Sequence, residues 1–251
     1  MELPVTVMNF SGAYEGQDFW RGVEVRELDA RGIAGTNCYC DREAEERLKE
    51  LMAPLGAKGI HFLDSGNYHY VTKLWLDLAA EPFELLVFDN HTDMQVPLFG
   101  DILSCGGWIR RTLEENPFLK RVYLAGPPEA AAEEDGLEAF GDRVRFVSRE
   151  ALERGRDGGL GAMLSEGGLP LYISVDKDVL CREEARTNWD QGGLGLVGLK
   201  AMLQEAFRAR RVLGADICGE EPEAEDASQA RKINARANRA LLEILREGLT
   251  E

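Results

Sequence analysis

The sequence predicts an α/β fold built on a mainly parallel sheet, and three observations carry that expectation. Short apolar runs alternate with amphipathic stretches of helical period along most of the chain. The runs are apolar throughout rather than at every second residue, as in Leu85-Leu86-Val87-Phe88, which marks strands covered on both faces. Acidic residues and histidines follow directly on several of these runs, the place where parallel sheets collect their sites.

Length and composition narrow the rest. A chain of 251 residues suits one domain over 1–251 with a sizeable core, and 44% hydrophobic with 29% charged residues is ordinary for a soluble protein. The net charge of -16 excludes nucleic acid and an anionic membrane surface as expected partners. No run approaches the roughly 18 apolar residues of a membrane span, and Met1-Glu2-Leu3-Pro4 lacks the basic start of a signal peptide. Five cysteines without regular spacing fit a reducing compartment, so the cytoplasm is the expected location.

Taken in order, residues 5–10 read as a first strand, whereas 15–37 have mixed polarity and no assignable element. Cys38 and Cys40 have no second pair to make a soft-metal site and read as a loop. Asp41 caps a helix whose first turn holds Glu43, Glu45 and Glu46; Ala44 stands where a capping box needs Glu or Gln, and Gly56 ends the helix. Strands are expected at 60–63, 85–88, 121–124, 144–147, 171–175 and 212–217. Helices are expected at 70–78, 102–113 and 199–207, with an acidic, Ala-rich helix or loop at 130–138. Ser148 can cap a further helix, 155–159 is a turn-rich break, and 227–245 closes the chain with Ile233, Ala237, Leu241 and Leu245 on one stripe.

The stretch Phe88-Asp89-Asn90-His91-Thr92-Asp93 organises the chemistry. In an extended segment every second side chain shares a side, so Asp89, His91 and Asp93 converge just past a strand. Asp176 and Asp178 follow a second buried run, and His69 lies just beyond a third. Singly, an Asp-x-His is an ordinary loop and an Asp-x-Asp caps a helix. Together these six make a candidate metal-ligand set. Its four carboxylates carry a charge of about -4, which two divalent cations balance and one does not. Oxygen-rich ligation with two imidazoles favours manganese, with iron, cobalt or zinc as alternatives. Two such ions would acidify a shared water into a hydroxide nucleophile, which implies hydrolysis at an electrophilic carbon. His61, inside an expected strand, reads as structural.

At these residues the sequence resembles the ureohydrolase superfamily, which includes arginase, agmatinase and formiminoglutamase. The family's Asp-Ala-His-Thr-Asp motif is similar to Asp89-Asn90-His91-Thr92-Asp93, and its Ser-x-Asp-x-Asp motif to Ser174-Val175-Asp176-Lys177-Asp178. Its Gly-Gly-Asp-His segment corresponds more loosely to Gly66-Asn67-Tyr68-His69, and the resemblance covers roughly residues 60–225. It implies an arginase-like, three-layer α/β/α fold, a binuclear manganese centre and attack of a bridging hydroxide on a guanidinium carbon. It further implies that Asp89 and Asp176 bridge the metals, that His69 and Asp93 complete one ion's shell, and that His91 and Asp178 complete the other's. Asp93 would also orient the nucleophile. Family members are often oligomeric, which makes a homo-oligomer possible here.

The chain departs from the family pattern in several places. Ser104-Cys105-Gly106-Gly107 puts Cys105 at or near a histidine proposed to shuttle protons; a thiol can carry a proton, and a small packed cysteine is the alternative. In Gly214-Ala215-Asp216-Ile217-Cys218-Gly219-Glu220-Glu221-Pro222 the guanidinium-gripping glutamate falls on Gly219, one residue from Glu220, which could serve if the loop shifts. Asn188 and Asp190 lie in a segment that aligns with a substrate-side loop; Asp190 could pair with a basic substrate and Trp189 could wall the pocket. Gln95 stands where arginases carry an asparagine that contacts a free amino acid, leaving room for a peptide-linked arginine. The expectation is a binuclear metal hydrolase acting on a guanidino or related C–N bond of a small molecule or peptide. An amide hydrolase or deacetylase of related fold, or a non-catalytic metal-binding protein, are the alternatives.

Overall fold

The computed structural model describes residues 3–97, 100, 102–154 and 159–250. Its strands and helices are, in order, β1 (Val5–Asn9), β2 (Arg26–Asp29), β3 (Tyr39–Cys40), α1 (Arg42–Met52), β4 (Gly59–Phe62), α2 (Val71–Leu76), β5 (Phe83–Phe88), β6 (Leu103–Ser104), α3 (Trp108–Glu115), β7 (Leu119–Ala125), α4 (Glu129–Glu134), β8 (Val144–Val147), α5 (Arg149–Glu153), α6 (Leu160–Glu166), β9 (Leu171–Asp176), α7 (Leu196–Ala209), β10 (Val212–Cys218) and α8 (Ala227–Thr250). Among them, eight strands form one sheet in the order β2-β1-β4-β10-β9-β5-β7-β8, and every neighbouring pair is parallel. β3 and β6 form a separate antiparallel ribbon.

The strand period of two sorts side chains to opposite faces. In β5, Leu85 and Val87 pack with Trp75 of α2 and Trp108 and Ile109 of α3, while Leu86 and Phe88 pack with Leu199 and Leu203 of α7 and Leu241 of α8. Helices α1 to α3 thus cover one face and α5 to α8 the other, giving the expected α/β/α layering. The α8 stripe of Ile233, Ala237, Leu241 and Leu245 is buried as its spacing requires. No helix of the described residues is long and apolar enough to cross a membrane.

Asp41 caps α1 as expected, accepting from Ala44 N at 2.9 Å, and Ser148 caps α5 through Ala151 N at 3.2 Å. His61 is structural: it stacks on Trp75 at 3.7 Å between ring centroids, and its Nδ1 lies 3.0 Å from Tyr172 Oη. Several expected boundaries need correction. α1 stops at Met52, before Gly56. The helix expected at 102–113 begins only at Trp108, because Leu103–Ser104 pairs with β3 and 105–107 make a 3-10 turn. Residues 15–37 contain the edge strand β2, in which only Leu28 is buried, so no apolar run announced it. Cys40, expected in a loop, is in β3, and α6 had no expectation attached to it. The break expected at 155–159 lies, apart from Gly159, outside the described residues.

Candidate metal centre

The central neighbours β4, β10, β9 and β5 all end on the same edge of the sheet. Register places Phe88 beside Val175 and Asp176 beside Cys218, so Asp89 and Asp176 emerge at one level from adjacent strands. Past β4, a 3-10 turn at Gly66–Tyr68 returns the chain and delivers His69 to the same place. Asp93 has φ 49, a left-handed conformation unusual for a residue with a side chain. Trp108 Nε1 donates to its Oδ2 at 2.6 Å and fixes that oxygen.

Two clusters of donor atoms result, and they share Asp89. In the first, His69 Nδ1 lies 3.1 Å from Asp89 Oδ2, 3.0 Å from Asp93 Oδ2 and 3.8 Å from Asp176 Oδ2. In the second, His91 Nδ1 lies 2.8 Å from Asp178 Oδ2 and 3.5 Å from Asp89 Oδ1. All six sequence candidates are therefore brought together. His69, Asp89, His91, Asp93 and Asp176 line a cavity of about 210 Å³, and Asp178 reaches His91 from outside that lining.

The polar bonds around the clusters set their orientation. His69 Nε2 lies 2.9 Å from Ser174 Oγ, whose own proton goes to Asp216 Oδ1 at 2.6 Å. Ser174 therefore accepts from Nε2–H, and the His69 ring turns Nδ1 towards three carboxylates. Asp178 Oδ1 accepts from Asn90 N and Asp176 Oδ1 from Asp178 N, each at 2.9 Å. Sequence reasoning missed this support, because Ser174 and Asp216 face each other only through the pairing of β9 with β10. It also missed Cys218, whose Sγ donates to Asp176 Oδ2 at 3.0 Å and stands within ligand range of His69 and Asp176.

A ring nitrogen set among carboxylates needs a proton or a metal cation between them, and the titration shifts show what happens without metal. Burial raises Asp178, Asp176 and Asp93, the last to about 6, and neighbouring carboxylates push each further up. Burial works against the Asp89 carboxylate too, yet hydrogen bonds from His69 and His91 hold it below its ordinary value. Burial would lower both imidazoles, but Cys218, Asp89 and Asp93 raise His69, and Asp178 and Asp89 raise His91 to about 12. Protons thus hold the place that divalent cations would take, and a set of four carboxylates and two imidazoles fits two hard or borderline ions.

The remaining candidates divide. Cys105, Gln95 and Trp189 line the cavity, together with Cys38, Tyr39 and Ser104, and Trp189 and Tyr39 are exposed at its rim. Asn188 and Asp190 do not line it. Asn188 Nδ2 donates to Asn67 Oδ1 at 2.8 Å, beside the bond from Trp189 Nε1 to the same oxygen, and the Asp190 carbonyl accepts from Asn90 Nδ2 at 2.9 Å. Their effect on the cavity passes through Trp189 and Asn90.

Glu220, expected to hold a cationic substrate, needs correction. Its carboxylate is buried against Lys177 and also accepts from Asn238, Asn234 and Gln17. The 3-10 turn that follows β9 explains this: Asp176 lines the cavity and Asp178 reaches His91, while Lys177 between them goes to Glu220 and Asn238 instead, and Glu220 neutralises it. Gly219 has φ +92, and a Cβ there would come within 2.6 Å of Asp176 Oδ1. No side chain can reach the cavity from that position without displacing Asp176.

Comparison with known proteins agrees with the fold. A protein of Thermotoga maritima without assigned activity is 27% identical over 86% of this chain and 79% of its own length. An agmatinase of Bacillus subtilis is 26% identical over 75% of this chain and 62% of its own length. Formimidoylglutamase from Bacillus subtilis superposes with a TM-score of 0.73 at 17% identity, covering 100% of this chain and 88% of that one. Arginase from Bacillus subtilis superposes with 0.71 at 14% identity, covering 96% and 98%. The family model described as the arginase family matches residues 27–244. That span includes all six converging side chains, and the chain belongs to the arginase family.

Proposed function

We propose that the protein is a binuclear, manganese-dependent hydrolase of a guanidino or related C–N bond. The observation that carries the reading is the pair of histidine–carboxylate clusters sharing Asp89 beside an open cavity. His69, Asp89, Asp93 and Asp176 would hold one ion, and Asp89, His91, Asp176 and Asp178 the other, with Asp89 and Asp176 common to both. Two divalent ions, once bound, acidify water and polarise an electrophilic carbon. The chain's own contribution is orientation. Ser174 and Asp216 fix the His69 ring, Trp108 holds the Asp93 Oδ2 that faces His69, and Trp189 and Tyr39 shield the approach. The neighbouring Cys38 and burial keep the proton on the Cys105 thiol, so Cys105 offers the cavity a hydrogen-bond donor rather than a base.

Gly219 shapes the substrate reading. With no carboxylate at that position, a cation would be recognised by the faces of Trp189 and Tyr39 rather than by an ion pair. This suits a guanidino group carried on a larger molecule, such as an arginine side chain in a peptide, better than free arginine or agmatine. The same observation supports a second reading, amide hydrolysis or deacylation, in which no cation need be gripped. Manganese-loaded protein should be assayed for urea release from free and peptide-linked guanidino compounds, and for amine release from acyl-amines. Urea release supports the first reading and amine release the second. Turnover of neither leaves metal binding without catalysis and overturns both. The composition and cysteine usage support a cytoplasmic location.

A further inference from the structure

The ribbon of β3 and β6 pairs Tyr39 with Ser104 and Cys40 with Leu103. The next rung sets Cys38 opposite Cys105, and Cys105 N donates to Cys38 O at 2.9 Å. Backbones joined by such a bond lie about 5 Å apart, within the Cα span that a disulfide bridges. The side chains share a wall as well as the backbones: both residues line the cavity, beside Tyr39, Gln95 and Ser104. Cys38 has φ 61, a left-handed backbone that is costly for a residue with a side chain.

We propose that Cys38 and Cys105 form a reversible dithiol–disulfide site on the cavity wall, oxidised by hydroperoxides, that gates the metal centre. Cys38 lies on the cavity wall in a left-handed backbone, and the neighbouring Cys105 thiol lowers it from its ordinary value, so Cys38 is the attacking sulfur. The Cys38 thiolate attacks the distal peroxide oxygen; the S–O bond forms, the O–O bond breaks, and an alcohol or water leaves. The Cys105 sulfur then attacks the Cys38 sulfenic acid; the S–S bond forms, the S–O bond breaks, and water leaves. The two thiols supply the two electrons that reduce the peroxide, and an added thiol reverses the process by exchange.

The consequence for the site follows from where Cys105 sits. It opens the 3-10 turn at 105–107, whose Gly106 carbonyl accepts from Gln95 N at 2.9 Å. That turn leads into Trp108, which holds Asp93. A covalent bond at Cys105 would tie the turn to the residue that precedes β3, remove the thiol proton and shift the turn that contacts Gln95 and leads into Trp108. The gating half of the proposal rests on the cavity being the reaction site; the disulfide itself does not.

The test uses the full-length, manganese-loaded protein. It is treated with hydrogen peroxide, its remaining thiols are blocked, and it is digested without reductant for peptide mapping. The expected result is a peptide pair joining Cys38 to Cys105, with Cys40, Cys181 and Cys218 still thiols, and full recovery of all five on dithiothreitol. Cys38→Ser and Cys105→Ser should each abolish the cross-link; if one fails to fold, the other suffices. A Cys38–Cys40 link, irreversible over-oxidation, or oxidation of Cys181 ahead of this pair would overturn the site. With a substrate in hand, turnover should fall more than tenfold in proportion to cross-linking and return with dithiothreitol. Unchanged turnover in cross-linked protein would overturn the gate while leaving the disulfide standing.

Discussion

Ser174 Oγ lies 2.9 Å from His69 Nε2 and donates its own proton to Asp216 Oδ1, so a residue of β9 decides which nitrogen of a distant histidine faces the carboxylates. Outer partners of this kind typically hold a factor of about 10–100 in metal affinity. Ser174→Ala and Asp216→Asn are each expected to weaken manganese binding by about that factor. Titration of the metal-free variants with Mn2+, followed by isothermal calorimetry, checks this. Wild-type affinity in both would show that Ser174 and Asp216 do not orient the ring.

Gly219 yields a sharper substitution. The position lies at φ +92, and any Cβ there collides with Asp176 Oδ1. Gly219→Glu, which would restore the family's residue, is expected to lose metal rather than to gain arginine hydrolysis. Metal per chain, measured beside the far-ultraviolet dichroism spectrum, separates loss of the centre from loss of the fold.

The sheet and most of the ligands were legible in the sequence because both depend on local pattern. Continuous apolar runs gave β5 and β9, and the spacing of two within Asp89-Asn90-His91-Thr92-Asp93 gave the ligands that follow β5. What stayed hidden depends on which strands become neighbours. The Ser174–Asp216 contact needs the β9–β10 register, and the Cys38–Cys105 rung needs a ribbon between segments far apart in sequence. Glu220 was misplaced for the same reason: its partner Lys177 opens the turn after the neighbouring strand β9, and its side chain parts from the ligands on either side of it.

The Lys177–Glu220 pair is buried at both ends, with Asn238 Oδ1 accepting from Lys177 Nζ at 2.9 Å. Removing one member of such a pair strands a charge and typically costs about 3–5 kcal/mol. Glu220→Ala is expected to lose about that much in urea denaturation, and Lys177→Met with Glu220→Leu to recover part of it. A neutral Glu220→Ala would mean that the pair does not anchor the end of β9.

Two pH effects follow. Without metal, His91 is raised to about 12 and Asp93 to about 6, so metal must displace protons near neutrality. Apparent manganese affinity should therefore rise with pH, by about tenfold per pH unit for each proton released. Calorimetry in buffers of differing ionisation enthalpy counts those protons, and an affinity independent of pH would contradict the assignment of ligands.

His61 acts on stability instead. Burial lowers it from 6.5 to about 3, so between those values the unfolded chain binds a proton that the folded chain refuses. That stabilisation is present above 6.5 and is lost as pH falls towards 3, at about 1.4 kcal/mol per pH unit. The stability difference between wild type and His61→Phe should shift by about 2 kcal/mol between pH 7 and pH 5, to the disadvantage of wild type. Parallel denaturant curves at the two pH values check it.

Metal content bears most directly on the centre itself. Purified protein reconstituted with manganese, desalted and analysed by elemental mass spectrometry should carry about two ions per chain, as two shared clusters require. A chain that retains none would contradict the binuclear site built on Asp89 and Asp176.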